Sequence, residues 1–205
     1  MVAVISSSNR RQYQANIDAM HRDRARIFVE TWGWRLPVTP DGREIDRYDG
    51  DDAIYLIDFD QQSAHLGSMR LVPTTGPHLM TDLFADLCET GPIVGEDVWE
   101  ISRLCTSPDL HPDRNRPIRN RLARAMLEFG FLFGITRFVG VTNIQYLSRM
   151  LAFGWDCAPL GTPREMDGVL VGAFVIDNSP ASIAAFRART GTRFPALQLD
   201  RELAA

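Results

Sequence analysis

The chain has 205 residues, 45% hydrophobic and 23% charged, enough for one globular domain with a sizeable core. A net charge of −4 gives no whole-molecule reason to expect nucleic-acid binding, and all 22 basic residues are arginine, so there is no lysine for a Schiff base. Cys88, Cys105 and Cys157 and the four histidines are scattered without zinc or redox spacing, so no metal site is expected. The opening MVAVISSSNRR is too short and polar for a signal peptide and no apolar run reaches transmembrane length, which predicts a cytoplasmic protein.

The first long element is a helix over about Gln12–Thr31, with Tyr13, Ile17, Met20, Ile27 and Phe28 as its apolar stripe. Arg24 falls on that stripe, either as a snorkelling edge residue or as a group that faces a ligand. A loop with Pro37, Pro40, Asp41-Gly42 and an acidic run follows. Two strands, Ala53–Asp58 and about Leu66–Val72, flank the turn Asp60–Ser63 and predict a hairpin. His78–Leu87 reads as a short helix and Asp97–Cys105 as a strand. An Arg-rich loop, Pro108–Pro117, leads into a second long helix that ends near Gly134. Phe138–Val141, Asp156–Leu160 and Val169–Asp177 read as strands and Gln145–Ala152 as a short helix. Ser179 caps a last helix with Pro180 at its first position. The tail, 195–205, is expected to be disordered. The pattern is a single α/β domain over 1–205, three-layered, with helices on both faces of a mixed central sheet.

Charge is concentrated in three stretches: Glu44–Asp49, Gly67–Thr74 and Trp99–Leu104. Arg70, Glu100 and Arg103 lie inside otherwise apolar strands, where a charge is costly unless paired. Either they line a cleft, or they are buried salt bridges that only hold the sheet. Strict alternation puts Glu100 and Arg103 on opposite faces, so a shared pocket requires a bulge between them.

These residues, in this order and spacing, resemble the LuxI-type autoinducer synthases: Arg24-x3-Phe28, Trp34, Glu44-x-Asp46-x2-Asp49, Ala53-x-Tyr55-Leu56, Gly67-x2-Arg70-Leu71-x-Pro73-Thr74, Asp82-x-Phe84 and Trp99-Glu100-x-Ser102-Arg103. The resemblance spans about Arg24 to Asp177. It implies a fold similar to the GCN5-related N-acetyltransferases, with a thioester in a V-shaped cleft between splayed strands. The acceptor would be the amine of S-adenosylmethionine (SAM), a substrate and not a cofactor. The products would be an acyl-homoserine lactone, methylthioadenosine and the free thiol carrier.

Residue chemistry agrees with this. Arg103 or Arg24 can grip the SAM carboxylate at two points. Asp46 and Asp49 can hold its ammonium, and Phe28, Trp34 and Phe84 can face the sulfonium or stack on adenine. Glu100 is the candidate general base with Asp46 as competitor, Arg70 orients the cluster, and Ser102 adjoins it. Part of 1–50, from about Arg24 to Asp49, is expected to be mobile without SAM and to order over it as a lid. Leu104, Gly140, Thr142 and Trp155 are the candidate acyl-contacting residues, Gly140 leaving room for a bulky chain. Arg114, Arg116, Arg119, Arg121 and Arg124 suit either an acidic acyl carrier protein or the phosphates of an acyl-CoA, the carrier protein by a narrow margin. The Met69–Thr75 stretch looks like the subgroup that takes branched or aryl acyl-CoA. A different amine acceptor, or a non-catalytic binding domain, are the competing readings.

Overall fold

The structure, a computed structural model, describes residues 1–192 and 195–199. The chain divides into two compact units, one made of Met1–Leu71, Arg103–Met126 and the end from Ala196, the other of Val72–Ser102 and Leu127–Pro195.

In the first unit, β1 (Val2–Ile5) pairs antiparallel with β2 (Ile54–Phe59), which pairs antiparallel with β3 (His65–Pro73). The β2–β3 turn is held by Asp60, whose Oδ1 accepts the N–H groups of Gln62 and Ala64 at 2.9 Å. β9 (Leu197–Gln198) runs parallel to β1. The four residues of β1 are all buried, an apolar run too short to show a period and absent from the sequence reading. β9 lies within the tail expected to be disordered; 200–205 fall outside the described residues.

α1 (Gln14–Arg24) packs on β2 and continues directly into a π-helix, Ala25–Thr31. The single helix expected there therefore widens by one residue per turn over its second half. α3 (Pro112–Leu132) begins inside the stretch read as a loop, and Pro117 lies within it. Pro112 opens the helix, where no N–H partner is lost, whereas Pro117 lies past the first turn and removes one i→i−4 hydrogen bond, a cost the buried face of the helix offsets. Ile118 and Leu122 are wholly buried against β3. Gly67 makes that contact possible: a Cβ there would stand 2.7 Å from Ile118 Cγ2 and 3.0 Å from the Cys105 carbonyl.

In the second unit, the part of β4 (Val98–Thr106) up to Ser102 pairs parallel with β5 (Arg137–Asn143), from Val98 opposite Arg137 to Ile101 opposite Gly140. β8 (Val169–Asp177) is antiparallel to β5, and β6 (Cys157–Pro159) and β7 (Arg164–Met166) pair antiparallel with β8. One sheet face, Val139, Ala173 and Val175, forms a core with Met80 and Leu87 from α2 (Leu79–Leu83) and the 3₁₀ turn after it. On the opposite face Leu147 of α4 (Ile144–Leu151) fills the space above Gly172, where a Cβ would lie 2.7 Å away. α5 (Pro180–Thr190) starts as expected, with Ser179 Oγ accepting the Ser182 N–H at 3.1 Å. The architecture is mixed α/β with a mixed sheet.

Candidate active site

The first unit gathers six charged side chains into one network. Ile17, Met20, Arg24 and Phe28 follow one another along the buried face of α1 and the π-helix, so Arg24 is carried inside and is 0% exposed. It does not snorkel. Its Nη1 and Nη2 donate to the two oxygens of Asp49 at 2.8 and 2.9 Å, and its Nε donates to Glu44. The acidic run is shaped to meet it. Glu44 N–H donates to the His21 carbonyl at 3.0 Å, and His21 Nδ1–H donates back to the Glu44 carbonyl at 2.7 Å. Asp46 Oδ1 accepts the Tyr48 N–H and Asp49 Oδ2 accepts the Asp46 N–H, both at 2.8 Å, so the loop turns on its own carboxylates.

Arg70, also 0% exposed, sits on β3 opposite Tyr55 and forks onto both oxygens of Asp46; its Nη1 is 3.0 Å from Asp49. Arg103 donates through Nη2 to Asp46 at 2.7 Å and to Glu44 at 3.1 Å. Its Nη1 takes part in neither bond. The backbone at Arg103 is left-handed, φ 54°, inside β4. A non-glycine residue rarely adopts that conformation.

Three guanidinium groups thus face three carboxylates. Burial alone would push Asp49 up, but the Arg24 fork and the Arg70 charge hold its carboxyl well below the usual carboxylate range. Burial opposes the charge on Arg24 and Arg70, yet the facing carboxylates raise both above the ordinary value. His21 is pulled to about 4, first by burial and then by the Arg24 charge beside it. Tyr55 donates to Asp49 Oδ1 at 3.0 Å, and burial pushes its hydroxyl pKa up.

Aromatic rings adjoin this network. The Arg103 guanidinium lies 5.7 Å from the Phe28 ring centre. Trp34 stacks on Phe28 at 5.2 Å with planes 9° apart, and Trp32 stands edge-on to both. Of the residues expected for SAM, Arg24, Phe28, Trp34, Asp46, Asp49 and Arg103 belong to this one assembly, as does Arg70, expected to orient the cluster. Glu44, His21, Tyr55 and Trp32 also belong to it and were not picked as site residues. The Glu44-x-Asp46-x2-Asp49 spacing was the signal for Glu44; Trp32 beside Trp34 gave none.

Glu100, the candidate base, belongs to the second unit. It is 2% exposed, and its two oxygens accept the N–H groups of Leu79 and Met80 at 3.1 and 2.6 Å, closing the start of α2. Phe84 packs on the apolar core beside α2. Ser102 is half-buried in β4. Gly140 does not leave open room: Phe174 on β8 covers it, and a Cβ at Gly140 would lie 2.7 Å from the Phe174 ring. Thr142 pairs with Gly172, and Trp155 packs on Phe153 and Phe186 with its ring N–H donated to the Met150 carbonyl. Leu104, in the first unit, is half-buried.

The arginines of α3 divide into two sets. Arg121 pairs with the buried Asp58 at 2.6 Å, and Arg124 is buried. Arg114 and Arg116 are exposed and Arg119 is half-exposed. Among the described residues, no three His, Cys, Asp or Glu side chains are placed to hold a metal, and no helix is long and apolar enough to cross a membrane.

The fold is shared with an acyl-CoA N-acyltransferase from Pseudomonas aeruginosa, which superposes with a TM-score of 0.59 at 13% identity, over 86% of this chain and 98% of that one. Closer relations are more specific. The autoinducer synthase family model matches residues 8–186. The isovaleryl-homoserine lactone synthase of Bradyrhizobium diazoefficiens is 31% identical over 182 residues, 86% of this chain and 80% of that protein. The acyl-homoserine-lactone synthase of Ralstonia nicotianae is 35% identical over 174 residues, 82% and 84% of the two chains. A CoA-dependent acyl-homoserine lactone synthase, BjaI, solved with SAM and isopentyl-CoA, superposes with a TM-score of 0.87 at 30% identity over 98% of this chain and 93% of that one. The chain belongs to the autoinducer synthase family.

Proposed function

We propose that the chain is an acyl-homoserine-lactone synthase that takes its acyl group, short and branched, from coenzyme A. The observation that carries this reading is the buried network of Arg24, Arg70 and Arg103 with Glu44, Asp46 and Asp49, flanked by aromatic rings. SAM brings a carboxylate, an ammonium and a sulfonium to it. The carboxylate bonds to the uncommitted Nη1 of Arg103, and the ammonium lies against Asp46. Phe28 and Trp34 face the sulfonium side.

Acylation then requires the amine to lose a proton, to Glu100 directly or through one water. The amine nitrogen attacks the thioester carbonyl, the new C–N bond forms, the C–S bond breaks, and the departing thiolate takes up the second proton that the nitrogen sheds, leaving as the free thiol carrier. In the second step a carboxylate oxygen attacks the γ-carbon, and the sulfonium leaves as methylthioadenosine. That ring closure is intramolecular and needs the substrate folded correctly more than it needs a catalytic group. Arg70 and Arg24 hold the aspartates in place throughout.

Support for coenzyme A over a carrier protein, the reverse of the narrow sequence preference, comes from the near-complete overlap with the CoA-dependent relative. The exposed Arg114 and Arg116 at the start of α3 suit its phosphates. Both proposed substrates are cytoplasmic metabolites, which supports a cytoplasmic location. The test is to incubate the purified protein with SAM and either isovaleryl-CoA or the acyl carrier protein thioester. Methylthioadenosine release and lactone mass are then measured. Release with neither donor overturns the function; release with the carrier protein alone overturns the donor.

A further inference from the structure

We propose that Trp32 is a further SAM-binding residue, the wall on which the adenine ring stacks; this rests on SAM being the acceptor substrate. The local chain geometry builds that wall. The π-helix ends with Trp32 N–H donating to the Ile27 carbonyl at 3.0 Å, Gly33 N–H to Val29 at 3.1 Å and Trp34 N–H to Phe28 at 2.9 Å. Gly33 is left-handed, φ 72°, so the helix closes in a Schellman-like turn. A Cβ at Gly33 would touch nothing within 4 Å, so the backbone conformation is what calls for glycine. The reversal returns two neighbouring indoles to one phenyl ring.

Those three rings are not a closed packing cluster. Phe28 and Trp34 form a nearly parallel layer, 9° apart, whereas Trp32 is tilted 66° to Phe28 and 63° to Trp34. A layer and an upright wall make a corner. Phe28 is 2% exposed, but Trp34 is 39% and Trp32 48% exposed, so the corner's two indoles present area to solvent. A large ring left half in water gains little from packing and has a flat face to offer a ligand. The corner's inner end is fixed by Arg103 above Phe28. In SAM the carboxylate and the adenine are at opposite ends of the molecule. A carboxylate on Arg103 therefore directs the nucleoside along Phe28 towards the two tryptophans, with Trp32 at the outer end. The contact is with the base, not the charge, because the cation sits between the two ends.

The neutral product separates the alternatives. Trp32→Leu and Trp32→Phe are assayed for the KM of SAM and for turnover by methylthioadenosine release. The Kd of added methylthioadenosine, which keeps the adenine and lacks the positive charge, is measured by calorimetry, and thermal melts are recorded. Stacking predicts that Trp32→Leu raises the SAM KM and the methylthioadenosine Kd by the same factor, about 5- to 100-fold, with kcat retained and the phenylalanine variant nearer wild type. Loss of SAM affinity with normal methylthioadenosine binding overturns the proposal in favour of a sulfonium contact, and no change in either overturns it outright. A lowered melting temperature in both variants with equal loss of all ligands makes Trp32 a packing residue and also overturns it. A wild-type protein that releases no methylthioadenosine would instead defeat the function proposed above, so the two failures are distinguishable.

Discussion

Replacing Glu100 by Gln separates two roles that one carboxylate combines. Its Oε1 and Oε2 accept the N–H groups of Leu79 and Met80 at 3.1 and 2.6 Å, which are among the donors left open at the start of α2. An amide keeps one acceptor oxygen and turns its own N–H₂ towards the other donor. One charge-assisted bond is lost and one backbone N–H is left facing a donor, at a cost of about 1.5–3 kcal/mol, readable in a urea melt. If the carboxylate also takes the proton of the SAM ammonium, turnover at saturating SAM and acyl-CoA falls by a further 10²–10⁴, roughly, read as methylthioadenosine release. The KM for SAM moves little, because Arg103 and Asp46 remain. Lower stability with near-normal turnover refutes the general-base assignment, leaves Glu100 as the cap of α2, and passes the proton to Asp46. A raised KM for SAM at near-normal turnover makes it a binding residue.

Three further outcomes are expected. His21 is held neutral, its pKa lowered to about 4 from 6.5, so the unfolded chain takes up a proton that the folded one refuses. Its contribution is complete above pH 6.5 and is lost as the pH falls towards 4, about 3 kcal/mol in all; urea midpoints of wild type and His21→Asn against pH check this, and parallel curves refute it. Gly140→Ala forces a methyl to within 2.7 Å of the Phe174 ring and 2.9 Å of the Ile101 carbonyl, and should cost about 1–3 kcal/mol, partly recovered by Phe174→Leu in the same chain. Additivity of the two substitutions in thermal melts would refute the contact. SAM should slow hydrogen exchange over Trp32–Gly42 more than over Glu44–Asp49. The first stretch is exposed, and the second is pinned by Arg24; equal change in both, or none, counts against a lid.

Local chemistry was legible in the sequence and long-range pairing was not. The hairpin could be read because Asp60 and the turn after it carry their own hydrogen bonds. The last helix could be read because Ser179 and Pro180 define its start. The onset of α3 lies earlier than expected because Pro112 and Pro117 read as loop punctuation, although a helix accepts proline at its first position, as at Pro112, and continues through Pro117. β1 was missed because Val2–Ile5 is apolar on both faces and too short for a period. In the site, Arg24 on an apolar stripe and Arg70 inside an apolar strand were conspicuous, since a buried charge demands partners. Their partners could be named as acidic but not assigned. The forks onto Asp49 and Asp46 depend on how the loop turns on its own carboxylates. Gly140 was read as space because nothing at that position shows that β8 lies opposite and brings Phe174 across it.

The charge network also determines what acidity can and cannot control. Arg24 and Arg70 are driven further into their charged forms and Asp49 is held ionised. These groups stay as they are at any acidity that leaves the chain folded. These three groups behave as a template with fixed polarity and not as titrating ones. Under the proposed mechanism, the proton that departs from the substrate amine and the group that receives it are then one source of any slope of the rate against pH. A rate profile then carries no ionisation superimposed from Arg24, Arg70 or Asp49.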